Sequence, residues 1–347
     1  MMSILAPLAL TASTGTLLLL PLAPALHELK SKRDAGPLVT RKDDGKIENF
    51  AVSLRRRFQT LHIPFAEAAD REFNAFVEHD GARVFLVTKP ETWAAQNRID
   101  ALVMCAVSSR LPDGFESSGD FYALETIHTG RNTIFRALLG EEEIVLGAAS
   151  KVLRWIHAEA GLLVCENCLL FGRTSSAKSI TLSSGCRFER MHAPTIYSSR
   201  YALRLPLRTE SFPFSKLARA GIGRRRILGD ARLHSGEQHR GDLVVTKSLE
   251  MEEAACVLGS VKANAKICLK RRAVVDGALV STKAISIGPG SFVKGPVISE
   301  EEIVISPGVQ IGLPGARTTV SAPRIRIASG SVLHGTVWAR VEGRTGD

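Results

Sequence analysis

Apolar residues in the C-terminal half recur at a fixed distance. Leu249, Ile267, Ile285 and Ile303 stand 18 residues apart, and Met251, Leu269, Ile287 and Ile305 repeat the interval two places later. Val257, Val275, Val293 and Ile311 keep it as well, while Gly241, Gly259, Gly277 and Gly295 mark one corner of each cycle. Within a cycle, apolar and polar positions alternate over short runs separated by Gly or Pro, the signature of short strands with one buried face joined at corners. A helical array would need i, i+3, i+4 spacing over about ten residues, and the glycines would break it. The pattern predicts an all-β fold, a β-solenoid with about 18 residues per coil. Its expected core is Leu249, Met251, Val257, Ile267, Leu269, Val275, Ile285, Ile287, Val293, Ile303 and Ile305.

After Ile311 the next matching pair is Ile325 and Ile327, which lies four residues late, so an extruded turn is expected at Gly312-Leu313-Pro314-Gly315. The same ruler applied upstream finds Ile144/Leu146, Leu162/Val164 and Ile180/Leu182, with Val152, Leu170 and Phe188 as third-strand partners. The phrase EEEIVLG at 141–147 and its near-copy EEEIVIS at 300–306 then mark one phase of the coil in two arms. Each Glu triplet is expected on a solvated corner, where charge also discourages edge pairing.

Outside the periodic stretches, residues 1–26 carry no charged side chain, and 4–26 gives 23 positions, against the roughly 20 that cross a bilayer as a helix. Lys30, Lys32 and Arg33 follow, which by the positive-inside tendency places the bulk of a single-pass inner-membrane protein in the cytoplasm. A cleaved signal peptide ending near Ala23-Pro24-Ala25 is the rival; the absence of a basic n-region disfavours it. The expected organisation is an N-terminal transmembrane anchor at 1–30 and a basic, poorly defined region at 31–130. A first solenoid arm at 131–198, a connector at 199–240, the regular solenoid at 241–340 and a tail at 341–347 follow. Within 31–130, residues 49–58 and 66–79 read as helical and ARVFLVT as a strand, while 99–107 and 121–127 are candidate irregular first coils.

The net charge of +10 and pI near 9.5 raise nucleic acid as a partner, yet no basic helix alternates with stacking aromatics, so none is expected. Six cysteines show no framework spacing of a secreted domain, and Cys165-Glu-Asn-Cys168 is a lone CxxC with no second pair or nearby His for zinc. Cys168 and Cys186 lie one period apart and should stack on adjacent coils about 4.8 Å apart. No GxSxG, phosphate loop or HExxH occurs, and no catalytic residue, metal site or cofactor is expected.

The Gly-cornered run GSVKANAKICLKRRAVVDGALVSTKAISIGPGSFVKGPV resembles the bactofilins, polymer-forming cytoskeletal proteins of bacteria, best over about 235–340 and more loosely over 141–196. The resemblance implies a right-handed, three-sided β-helix that assembles end to end into nucleotide-free filaments. It further implies a scaffold for envelope or exopolysaccharide enzymes and for cell shape, in a membrane-anchored, two-arm variant. The partners so implied are other copies of the chain, the inner membrane and envelope polysaccharide enzymes. An uncapped last coil pairs readily with another end, and Ile325, Ile327, Leu333, Val337 and Trp338 form the candidate self-assembly coil.

The alternative is an acyltransferase-like enzyme on a left-handed β-helix, whose hexapeptide register is interrupted here by Ala255, Ala273 and Ser291. Such an enzyme needs a His base. His234, His239 and His334 lack an adjacent acid in the sequence and are expected at the surface.

Overall fold

Strands that stack parallel and in register put equivalent residues one coil apart directly over one another, so a constant interval in sequence becomes a ladder in space. The computed structural model describes residues 10, 13–16, 18–22, 49–60, 75–79, 81–89, 93, 97–200 and 223–346. It contains a right-handed β-solenoid of about 13 turns with roughly 18 residues per turn. Residues 1–46 and 47–347 are separate compact units. In the first, only short helical pieces are described, and among the described residues no helix is long and apolar enough to cross a membrane. The remainder of the 4–26 segment lies outside the described residues.

In the second arm Leu249 stacks on Ile267, then Ile285, Ile303 and Ile325, and Met251 on Leu269, Ile287, Ile305 and Ile327. All eleven expected core side chains are buried. Each isoleucine so buried contributes about 1.5–3 kcal/mol relative to exposure. The glycine corner has a steric cause: a Cβ on Gly259 would stand 2.3 Å from the Gly241 carbonyl oxygen, and one on Gly277 or Gly295 2.6 Å from the glycine beneath. The late residues after Ile311 form the expected turn, closed by an antiparallel bridge between Leu313 and Ala316.

The first arm begins earlier than expected. Ala82–Val87 pairs parallel with Leu102–Cys105, which pairs in turn with Glu116–Ala123, so the coils start near residue 82 rather than 131. The helical reading of 66–79 fails where it is described: Ala75–His79 is a strand, antiparallel to Ala82–Val87, with residues 66–74 outside the described region. Gly81, with φ 72°, lies in the turn between these two strands, where glycine takes the left-handed conformation without penalty. The expected connector also shrinks, because Arg224–Ile227, Ala231–Leu233 and Gln238–Arg240 form the first coil of the second arm. Residues 201–222 lie outside the described region.

In the second unit a helix lies outside the solenoid, against its first arm. Helix α1, Asn49–Thr60, buries Ala51, Leu54 and Phe58, whose i, i+3, i+7 spacing makes one face. That face covers outward-pointing residues of the first arm, Val84, Leu86, Leu102, Met104, Tyr122, Ala137, Leu139 and Trp155. These alternate with the inward residues Phe85, Val87, Val103, Cys105, Phe121 and Leu138, so the sheet is apolar on both faces wherever the helix lies on it.

Candidate assembly surfaces

A solenoid of parallel strands can meet another partner only at its ends, where strand edges are unpaired, or along its outer faces. The C-terminal end of the second arm is already occupied. Its last strand, Val332–Thr345, runs antiparallel to Arg187–Ser198, the last strand of the first arm, through all three sides of the coil. Met191 opposes Val337, Ala193 opposes Gly335 and Ile196 opposes Leu333. The two arms therefore join tail to tail in one continuous core.

Of the five residues expected at an open assembly end, Ile325, Ile327, Leu333 and Val337 are buried in this joined core. Trp338 points outward instead, opposite Arg190, whose guanidinium carbon lies 5.2 Å from the indole centroid. The expected open end is thus closed by the chain itself, and the expected tail at 341–347 is largely its final strand. Packing is tight there: Phe188 lies over Gly343, where a Cβ would come within 2.1 Å of the ring.

Polar groups finish the joint. The Thr345 hydroxyl donates to the Ser183 carbonyl at 2.6 Å and accepts from the Cys186 amide at 3.1 Å. His334, expected at the surface, is buried, and its Nδ1–H donates to the Pro194 carbonyl at 3.0 Å. Burial lowers the His334 pKa, and the carbonyl acceptor only partly offsets this. Beside the joint, Cys168 and Cys186 are free, buried and stacked as expected. Their sulfurs are bound to backbone, to Gly147 O at 3.2 Å and Cys165 O at 3.1 Å, so they act as small core fillers.

The opposite ends differ from each other. At the head of the first arm the Ala75–His79 hairpin strand covers the edge, and Trp93 packs edge-on to Phe115, 5.3 Å between centroids, above Phe121 and Phe135. Sequence reasoning passed over this aromatic plug because its rings, though close in space, have no common interval.

Among the described residues the head of the second arm has no such plug. Its three edge strands have partners on one side only among the described residues. Yet two of its inward ladder positions are polar: Arg225 stands below Leu243 and His239 below Val257. His239, expected at the surface, is half-buried, and its Nε2 finds no partner among the described residues. Inward-pointing polar side chains of this kind blunt an edge against pairing.

The doubled Glu phrase serves a different purpose in each arm. Glu141 accepts from Arg55 Nε of α1 at 2.6 Å and from Nη2 at 2.8 Å, and from the Tyr122 hydroxyl at 2.6 Å. Arg55 also holds Glu159, which faces buried His157, itself 2.8 Å from the Ser175 hydroxyl. Burial acts to lower the Arg55 pKa, but its bonds to Glu141 and Glu159 raise it overall. Burial likewise opposes ionisation of Glu159, and Arg55 with His157 outweighs it and lowers that pKa. Glu141 of the first triplet is therefore a clamp on α1, while Glu142 stays exposed on the corner as expected. In the second arm, Glu301 and Glu302 meet Lys283 and Arg326 at 2.6 and 3.1 Å on the exposed surface.

No known protein family, curated protein or solved structure matches the chain.

Proposed function

We propose that the chain is a bactofilin-like, non-enzymatic scaffold, anchored in the inner membrane by its N-terminal segment, with its body in the cytoplasm. It organises enzymes of envelope or exopolysaccharide synthesis, or cell shape. The observation that carries this reading is the tail-to-tail joint, in which two solenoid arms use strand edges and a shared core to make one rod. An end-to-end contact between subunits would use the same chemistry. Here one such contact is made within a single chain, and further self-association falls to the head of the second arm, damped by Arg225 and His239.

Light scattering and electron microscopy of the full chain without nucleotide test this. The wild type should show weak, concentration-dependent association, Arg225→Leu with His239→Val should lengthen the assemblies, and Leu233→Asp should abolish them. A full chain that stays monomeric in all three forms overturns the self-association.

A further inference from the structure

Large apolar side chains exposed on the solenoid body are few and unevenly placed. Five of them, Leu153, Phe171, Ile298, Trp338 and Val341, flank the tail-to-tail joint, with exposures from 39% for Ile298 to 66% for Val341. The register explains the grouping. Ile298 stacks on Ser321, Ser321 on Trp338, and Trp338 faces Arg190 across the joint. Leu153 and Phe171 turn the neighbouring corner of adjacent first-arm coils, and Val341 turns the matching corner of the last second-arm coil, within the register shift opposite Glu189.

The charge around these residues is net positive. Arg154, Arg187, Arg190, Arg340 and Arg344 border the patch, against Glu189 and Glu342. Glu189 accepts the Gly172 amide, and Glu342 is shared by Arg187 at 3.4 Å and Arg344 at 3.5 Å, which leaves the arginines in excess. Arg190 lies against the Trp338 face, and its Nε finds no acceptor among the described residues. A half-exposed indole beside aliphatic side chains, ringed by guanidinium groups, is the chemistry that settles at the headgroup level of a bilayer. Basic groups there are drawn to anionic lipid, and the indole and aliphatic tips enter the interface.

We infer that this face of the joint is a docking surface for an anionic phospholipid bilayer, which would lay the rod flat along the membrane. This goes beyond the anchored-scaffold reading, because it places a second membrane contact on the solenoid and needs no spanning segment.

The test is co-sedimentation of the full chain with vesicles of phosphatidylcholine alone and of phosphatidylcholine mixed with phosphatidylglycerol. Wild type should bind the anionic vesicles and lose that binding in high salt. Val341→Glu and Leu153→Glu, one on each side of the joint and both at exposed positions, should each weaken anionic binding roughly tenfold. Arg271→Glu, at an exposed corner away from the patch, changes the charge by more and should leave binding nearly unchanged. Binding that ignores lipid charge and survives both patch variants would be that of the N-terminal segment alone and would overturn the proposal, as would no binding by wild type. A protein that stays monomeric yet loses vesicle binding in the patch variants would sink the self-association and leave this docking surface standing.

Discussion

Single positions show which parts of the coil are constrained by space and which by backbone shape. One corner carries a left-handed residue in turn after turn among the described residues: Gly114, Asn132, Ala149, Asn167 and Gly185 in the first arm, and Gly236, Ala254, Arg272, Gly290, Gly308 and Gly330 in the second, with φ from 55° to 84°. A glycine there carries no Cβ penalty, whereas alanine or arginine costs about 1–2 kcal/mol. Ala254 is exposed, so Ala254→Gly should raise stability by about 0.5–1 kcal/mol once glycine's greater unfolded-state freedom is subtracted. Urea unfolding measures it, and an unchanged or lower midpoint would contradict the strain. The converse case is Gly343→Ala, which must displace the Phe188 ring and should cost about 1–3 kcal/mol. This corner was hard to see in the sequence because Ala254 and Arg272 do not announce a positive φ, whereas the Gly241 to Gly295 ladder, fixed by collision with the coil beneath, was plain.

At the level of elements, α1 is a strap held by one apolar face and by Arg55, with Arg57 adding a longer contact to Asp120 at 3.8 Å. Arg55→Ala should free the helix more than it unfolds the body. It removes the guanidinium and leaves Glu141 with the Tyr122 hydroxyl and Glu159 with His157, a loss of about 0.5–1.5 kcal/mol for partly exposed groups that each keep a partner. Hydrogen exchange should then rise across residues 49–60 while the second arm keeps its protection; uniform protection would show that apolar contacts alone hold the strap. The clamp also has a pH window. Glu159 has a folded pKa below its ordinary 4.5, so the stabilisation is full above that value and fades as pH falls through the folded pKa.

The residues of 49–58 were readable as a helix from their pattern, but its seat was not. Leu86, Met104, Tyr122 and Leu139 form an outward ladder with no polar alternation, and the first arm blurs its own period. Pairing slips from 18 to 17 where Ile134 meets Lys151 and where Asp120 meets Ala137, so the coils before residue 131 were readable only as irregular candidates at 99–107 and 121–127.

For the molecule as a whole, the tail-to-tail joint is what the sequence could not show. Its partners, such as His192 and Thr336, are 144 residues apart, and antiparallel pairing leaves no repeated interval to count. A separately produced second arm, residues 223–347, would expose Val332–Thr345 and should form a two-fold dimer through that strand, as isologous edges do. A monomeric fragment in light scattering would mean that the joint depends on first-arm side chains such as Phe188. The joint should also respond to acid. His334 has a folded pKa below its ordinary 6.5, so its stabilisation is complete above 6.5 and declines as pH falls from there towards the folded value. His334→Gln should flatten that part of the profile.

Because both arms meet by their tails, the rod presents a head at each extremity and its hydrogen bonds run along its length, in series with any pull applied to those heads. Each rung then bears the full load, and the joint, where the coils of one arm meet those of the other antiparallel, is a defined seam. The two sides of that seam belong to one polypeptide. A parted seam therefore faces its own partner at an effective concentration on the order of millimolar rather than the far lower level of a neighbouring molecule. A cell could stretch such a bar to the point of opening and have it heal by recoil, with no new subunit recruited.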